Sequence, residues 1–412
     1  MDSCRGTCCF IRDNTRLDEY STGIIVSFIE DEFCETVSEI ASSYGFGCLN
    51  YYQDIVIQGS DGPSGSVDEG LIHVVMYMGY LIKKRYPDLS QIGVIASRKR
   101  LLKMNAFFPL MPPEESKCKK YFLPIDISSI RDEDVEHHHV QSLLIKYSDF
   151  IQHVVWEREN PYVMSRVLEK FLDANVRDVP LLDTFEMMKP LFDRKCMYAI
   201  LDEIAQVARN KNALPVRSAT WELVSQRTVK TLACPYIVKS RLACGTQDAH
   251  LMGLILRREG VTECELADPL VAQEYINHDG ILFKVYVVGT NVMVERRSSM
   301  PDIYLRGLEK DKMEALPSCI EFDSLHSLPT RLPWLENGVS DLTRTPSFSI
   351  LTDYFFEQLA NIVRERISLS VFGFDVVFDR QAGEVLLLDI NYLPSFGGIS
   401  DAPSYFIDTF LS

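Results

Sequence analysis

The chain has 412 residues, 46% of them hydrophobic and 24% charged, which are globular values that exclude extensive disorder and suggest about two to four packed units. Its 42 Lys and Arg against 58 Asp and Glu leave a formal net charge of −16, which excludes nucleic acid as the main partner because such binding needs a basic surface. The longest apolar stretch, residues 70–82, contains His73 and falls short of the roughly 20 residues that cross a bilayer, so no membrane span is expected.

The first residues, MDSCRGTCCFIRD, mix both charge signs and do not read as a secretory signal. Eleven irregularly spaced cysteines, an odd number, read as reduced thiols of a cytoplasmic or nuclear protein. Cys4, Cys8 and Cys9 have no matching pair further on, so a metal role for them is not favoured. In STGIIVSFIEDEF an apolar run gives way to helical spacing at Phe33, Val37, Ile40 and Ala41, then to a second strand after Tyr44. QGSDGPSGS is a loop by composition, and an apolar helix follows over residues 72–83.

A new α/β unit begins at residue 91 with the strand IGVIAS and the basic run Arg98-Lys99-Arg100, either a solvated helix face or an anion site at a strand end. His137, His138 and His139 are adjacent and cannot all face one metal, so they read as surface residues. LLIKYSD predicts a strand, and a long helical segment ends near Asn175. PLFDR, residues 190–194, opens another region. Between residues 235 and 289 the pattern is strand-rich: YIVKSRLA, a loop centred on Gly245, VAQEYI and ILFKVYVVG. Residues 309–345 are irregular and dotted with proline, as in a long surface excursion. An amphipathic helix over Asp353–Ile367 carries Phe355, Leu359, Ile362 and Val363 on one face.

The segment GFDVVFDRQAGEVLLLDINYLPSF holds the chemistry. Two apolar runs flank a polar turn, which is a hairpin signature. With a loop at Gln381-Ala382-Gly383, residue 380 pairs with 384, and Asp375 falls opposite Asp389. Asn391 then points to the same face, because strand side chains alternate. Each aspartate interrupts an apolar strand, where an unpaired charge is costly, so the three oxygen donors are expected to hold Mg²⁺. Lys239 and Lys284 also sit within apolar strands, while no P-loop or GxGxxG occurs. Together these features suggest a nucleotide clamped between sheets.

The segments PYIVKSRLACGTQDAH, VAQEYINHDGILFKVYVVG, ERRSSMPD and GFDVVFD…LLLDINYLPSF resemble the inositol 1,3,4-trisphosphate 5/6-kinases, also called inositol tetrakisphosphate 1-kinases, of the ATP-grasp superfamily. LACGTQDAH, EFDSLHSLP and DINYLPSF are most similar to the longer plant type, and the resemblance runs over residues 91–412. It implies an α/β ATP-grasp fold with an additional N-terminal α/β segment. The expected domains are an extension over 1–90, an inositol-phosphate-binding domain over 91–185, and central and C-terminal ATP-grasp domains over 186–290 and 291–412.

The resemblance also implies roles. Asp375, Asp389 and Asn391 match Mg²⁺ ligands, with two ions expected. Arg194, Lys239, Lys284 and Ser299 match ATP contacts, and Gln273, Glu274, Tyr275 and Ile276 match the hinge that reads the adenine edge. Arg100, Lys146, His250, Lys284, Arg297, Asn391 and Ser395 match the inositol phosphate contacts, and Lys239, His250 and Lys284 form the expected catalytic set. Ser395 replaces a glycine that is more usual in the family, and Cys244 stands where some members have a polar residue. The implied activity is phosphoryl transfer from Mg·ATP to inositol 1,3,4-trisphosphate or an inositol tetrakisphosphate by a cytoplasmic or nuclear monomer. A carboxylate–amine ligase and a non-catalytic inositol-phosphate binder are the alternatives.

Overall fold

The computed structural model describes residues 7–12, 24–28, 46–50, 90–97, 120–125, 141–153, 162–175, 179–305, 308–324, 328–332, 350–399 and 402–411. Two units share them: Met1–Phe150, Met164–Leu182 and Ser400–Ser412 in the first, Ile151–Val163 and Asp183–Ile399 in the second. The expected helices over 33–41 and 72–83, the basic run with Arg100, and His137 to His139 lie outside the described residues.

In the first unit, β1 (Thr7–Arg12), β2 (Ile24–Phe28) and β3 (Phe46–Asn50) form an antiparallel sheet in the order β2-β1-β3. Of these, β2 and β3 are expected from the sequence pattern and β1 is not. A second sheet of β4 (Ser90–Ile95), β5 (Lys120–Ile125) and β6 (Ser142–Ile145) is parallel, ordered β5-β4-β6. Val94, Ile95, Leu143, Leu144 and Ile145 are fully buried, as in a parallel strand covered on both faces. The expected strand LLIKYSD stops at Ile145. Its YSD turns into a 3-10 helix, with the Asp149 carboxylate accepting from the Ser97 amide at 3.0 Å and hydroxyl at 2.8 Å. Helix α1 (Arg166–Asn175) ends where expected and buries Leu168 and Phe171.

The second unit starts with the ribbon of β7 (Ile151–His153) and β8 (Tyr162–Met164), then helix α2 (Arg194–Asn212), which was not anticipated beyond PLFDR. Asp193 caps α2 by accepting from the Lys195 amide at 2.9 Å. Its apolar stripe, Met197, Leu201, Ile204 and Ala208, is buried. The strands that follow build two five-stranded sheets. The first, antiparallel throughout, comprises β10 (Trp221–Leu223), β13 (Leu270–Glu274), β11 (Tyr236–Ser240), β12 (Leu251–Ile255) and β16 (Cys319–Asp323) in that order. The second runs β15 (Asn291–Ser298), β14 (Ile281–Val288), β17 (Val371–Asp379), β18 (Glu384–Tyr392) and β9 (Val216–Ser218), antiparallel except for β18 with β9.

Residues 309–345 are thus not merely an excursion, since they include the Lys310–Ala315 helix and edge strand β16. Ile320 and Phe322 pack on one face of that strand and Cys319 on the other, an alternation that makes it a strand despite the prolines around it. The expected division at residues 290/291 falls between the hydrogen-bonded partners β14 and β15. Among the described residues, no helix is long and apolar enough to cross a membrane.

Helix α3 (Asp353–Ile367) has the bounds read from the sequence and covers the back of the second sheet, with Phe356 against Phe283 at 5.9 Å between ring centroids. Thr352 caps it, its hydroxyl accepting from the Phe355 amide at 3.2 Å. Thr352→Ala should therefore lower stability by about 1 kcal/mol in chemical denaturation, while Thr352→Ser keeps most of it.

Candidate functional site

On the front of the second sheet, opposite α3, cross-strand neighbours form a row: Glu295 on β15, Lys284 on β14, Asp375 on β17 and Asp389 on β18. The hairpin pairing of Asp375 with Asp389 matches the sequence reading, but the route to it differs. Asp379 pairs with Glu384, which lengthens the turn to four residues, and the register then runs to Val376 opposite Leu387. Continued regularly, it would set Asp389 opposite Phe374 on the back face. A β-bulge that leaves Leu388 unpaired restores Asp375 opposite Asp389. Gly383 supplies the positive φ of the turn, at 68°.

The two carboxylates repel, and the second sheet offsets this with a direct ion pair at Asp375. Lys284 Nζ donates to both oxygens of Asp375, at 3.1 and 2.9 Å. Burial nevertheless pushes the Asp375 carboxyl above the usual range, against Lys284 and with the help of Asp389. Asp389 accepts from the Ile390 amide at 3.0 Å, and Asn391 lies exposed on the same face two residues on. This donor set contains only oxygen atoms, carries two carboxylates and has an open side, so it fits a hard divalent cation such as Mg²⁺.

The first sheet contributes Lys239 and Gln273. Lys239 Nζ is buried, donates to Gln273 Oε1 at 2.6 Å and lies 6.0 Å from the centre of the Tyr198 ring. Gln273 Nε2 in turn donates to the Leu388 carbonyl at 3.3 Å, so the bulged residue links the two sheets. Burial pushes the Lys239 ammonium down to about 8, although Asp389 pulls it upward.

The residues expected to form the hinge, 273–276, are held by their own network. Glu274 pairs with Arg217 and accepts from the Thr220 amide, and the Tyr275 hydroxyl donates to the Pro301 carbonyl. Ile276 is partly buried against Leu282 and Leu386. His278 carries no sequence signal of its own, yet it connects Ile276 to Ser299. Its Nδ1 meets the Ile276 carbonyl at 2.6 Å and its Nε2 meets the Ser299 hydroxyl at 2.8 Å. Burial lowers the His278 pKa and favours the neutral ring. Because a carbonyl can only accept, Nδ1 carries the proton, and the Ser299 hydroxyl donates to Nε2.

The remaining expected residues are distributed as follows. Arg194 is buried, and its guanidinium donates to the carbonyls of Ser240 and Leu242 at 2.6 and 2.7 Å and of Ala249 at 2.9 Å. It ties the start of α2 to the end of β11 and the turn ending at His250. The His250 carbonyl accepts from the Ser324 amide at 2.9 Å and hydroxyl at 3.0 Å. Arg297 donates to Glu295, to the Tyr286 hydroxyl at 3.1 Å and to the Gly397 carbonyl at 2.7 Å, which fixes the loop after β18 where Ser395 lies exposed. Lys146 belongs to the first unit, where it is buried directly after β6, and Arg100 lies outside the described residues.

Residues 208–412 match the family model described as the inositol 1,3,4-trisphosphate 5/6-kinase ATP-grasp domain, a stretch that includes every strand of both five-stranded sheets. The chain is similar to inositol-tetrakisphosphate 1-kinase 6 of Oryza sativa subsp. indica, 28% identical over 410 residues that cover 92% of this chain and 71% of that one. It is 30% identical to inositol-tetrakisphosphate 1-kinase 1 of Arabidopsis thaliana over 237 residues, 55% of this chain and 70% of that one. Among solved structures, a RimK domain ATP-grasp protein from Sphaerobacter thermophilus aligns over 78% of this chain and 100% of its own at 14% identity and a TM-score of 0.42.

The low pKa of Lys239 has a direct consequence for stability. Between about pH 8 and 10.5 the unfolded chain holds this proton and the folded chain does not, so its contribution to stability rises with pH across that window and is lost as pH falls through 8. Denaturation of the wild type and Lys239→Met over this range should therefore give a difference that shrinks as pH rises, by on the order of a few kcal/mol.

Proposed function

This chain belongs to the inositol 1,3,4-trisphosphate 5/6-kinase family of ATP-grasp proteins, and on that premise we propose that it transfers the γ-phosphoryl group of ATP to a hydroxyl of inositol 1,3,4-trisphosphate or of an inositol tetrakisphosphate. The observation that carries this reading is the row of Lys284, Asp375 and Asp389 across three strands, linked through Leu388 and Gln273 to the buried Lys239.

In this reading Asp375, Asp389 and Asn391 would hold Mg²⁺, which would supply positive charge to offset that of the nucleotide phosphates. Lys239 contributes a second positive charge from the other sheet, at a site where low exposure strengthens its pull on phosphate oxygens. Lys284 pairs with Asp375 and lies next to the transferring group. The hinge from Gln273 to Ile276 receives the adenine edge through its main chain. Ser299, with its proton committed to His278, turns its lone pairs toward a nucleotide hydroxyl. Arg194 serves by holding the strand end under the nucleotide through the three carbonyls it binds.

For the acceptor, Arg297 can lend a guanidinium face to ring phosphates, and His250 is the side chain proposed beside the accepting hydroxyl. Phosphoryl transfer asks little covalent chemistry of a protein, so positioning and charge account for the catalysis. The reading includes a monomer that acts on small molecules in the cytoplasm or nucleus, in keeping with the net charge of −16 that disfavours nucleic acid.

Incubation with Mg·ATP and a panel of inositol tris- and tetrakisphosphates should give ADP and a ring with one more phosphate. ADP formed only with an amine and an acyl acceptor would point to a ligase, and tight ring binding without turnover to a binder. Asp389→Ala should lower turnover by roughly a hundredfold or more while inositol phosphate binding persists, the scale of losing one preorganised electrostatic partner.

A further inference from the structure

The face of the first sheet that turns away from Lys239 and Gln273 carries a second group of donors. Side chains alternate on β11, so Tyr236 and Val238 lie behind Lys239, in the core that includes Cys264 and meets Cys319. Cys319 and Glu321 stand two residues apart on edge strand β16 and share this face. The sulfurs of Cys264 and Cys319 and a carboxylate oxygen of Glu321 all lie within 4.8 Å of one another.

Several independent features hold these atoms together. Gly253 on β12 pairs with Glu321, and a Cβ at that position would come within 3.0 Å of the Cys264 sulfur and 3.2 Å of the Cys319 sulfur. The missing side chain leaves room for both. At the turn that presents Cys264, a Cβ on Gly260 would lie 2.1 Å from the Ser318 carbonyl oxygen, so this turn rests directly on the start of β16. The Cys264 amide bonds back to the Gly260 carbonyl at 2.9 Å. Arg227 clamps the next residues from outside, donating to the carbonyls of Cys264 at 3.1 Å and Leu266 at 2.8 Å. The amide that follows Cys264 points to a donor atom: Glu265 N–H donates to Glu321. Amide donors of this kind orient and stabilise charged ligands around a metal.

We propose that Cys264, Cys319 and Glu321 form a zinc site, with two thiolates and one carboxylate as protein ligands and water in the fourth position. Two soft sulfurs select against Mg²⁺ and Ca²⁺, which require oxygen, and three protein donors in a compact triangle suit the tetrahedral preference of Zn²⁺. Exposure is graded, with Cys264 buried, Cys319 intermediate and Glu321 exposed, so the ion enters from the Glu321 side. Binding replaces the two S–H protons, which leave to solvent, and gives a centre of net charge −1 from Zn²⁺, two thiolates and one carboxylate. The site lies across the sheet from Lys239, so the ion ties β16 to the segment leading into β13 without reaching the nucleotide face.

The test uses the full-length protein with a phosphine reductant and excess Mg²⁺ to occupy carboxylate sites, titrated with Zn²⁺ against a chromophoric chelator. The expected result is that Cys264→Ser and Cys319→Ser each bind one equivalent fewer than wild type, and that Glu321→Gln weakens this equivalent by about tenfold or more. Co²⁺ in its place should give a thiolate charge-transfer band that both cysteine variants lack, and Zn²⁺ should raise the melting temperature of the wild type but not of Cys319→Ser. Glu321→Gln alters an exposed residue, so it carries the test if the buried Cys264→Ser fails to fold. Equal zinc stoichiometry and affinity in the wild type and the variants would overturn the proposal, as would a Cys264–Cys319 disulfide with no zinc affinity after reduction.

Discussion

Two carboxylates that face each other across neighbouring strands, half-buried in an otherwise apolar sheet, repel one another and have lost much of their hydration. Beside them on the next strand stands Lys284, which donates to both oxygens of Asp375. The open side of Asp389 and the exposed Asn391 share the same front. Much of the second unit can be understood as support for this arrangement. Helix α3 packs on β14 and β15 with buried Phe355, Phe356 and Leu359, and helix α2 packs on β18 and β9. On the front, Glu295 takes up Arg297, which keeps a competing carboxylate out of the row's chemistry.

How much of this was legible depends on the range of each interaction. The hairpin acids, the strand lysines and the bounds of α3 are readable, because alternation, turn glycines and apolar periodicity are local signals. The partnership of Asp375 with Asp389 was reached through a turn that is one residue too short and a ladder without a bulge, two departures that cancel. Helix α2 was also written locally, in its Asp193 cap and the spacing of Met197, Leu201, Ile204 and Ala208, but PLFDR drew attention to its first residue only. What no local pattern announced were the long-range pairings: Arg194 with carbonyls as far away as Ala249, Gln273 with Leu388, and Cys264 with Cys319. Such partners are set by how strands are ordered in the sheets, and β16 joins the first sheet only after both β14 and β15 have gone to the second.

Several polar side chains at the front bind protein atoms rather than facing an open space. Arg194, Glu274, Tyr275 and His278 all spend hydrogen bonds on the main chain or on neighbours, and Lys239 rests on Gln273. A site whose donors are already oriented loses little entropy when a ligand arrives. The same economy explains why a resemblance can locate a position without defining its task. Arg194 stands where a nucleotide contact is expected, yet its guanidinium is occupied in joining a helix to a strand end and a turn.

The bulge at Leu388 also bears on how this protein can change over generations. A residue gained or lost at the tip of the hairpin would ordinarily turn every following side chain to the other face of the sheet. Here an unpaired residue sits between the tip and the two aspartates, so the strand can absorb a difference in length before it reaches them. A change of one residue around Arg380 to Gly383 can thus be taken up before the acids, at the cost of the Arg380–Asp279 ion pair and the bonds from the Gln381 and Ala382 amides to Asp379.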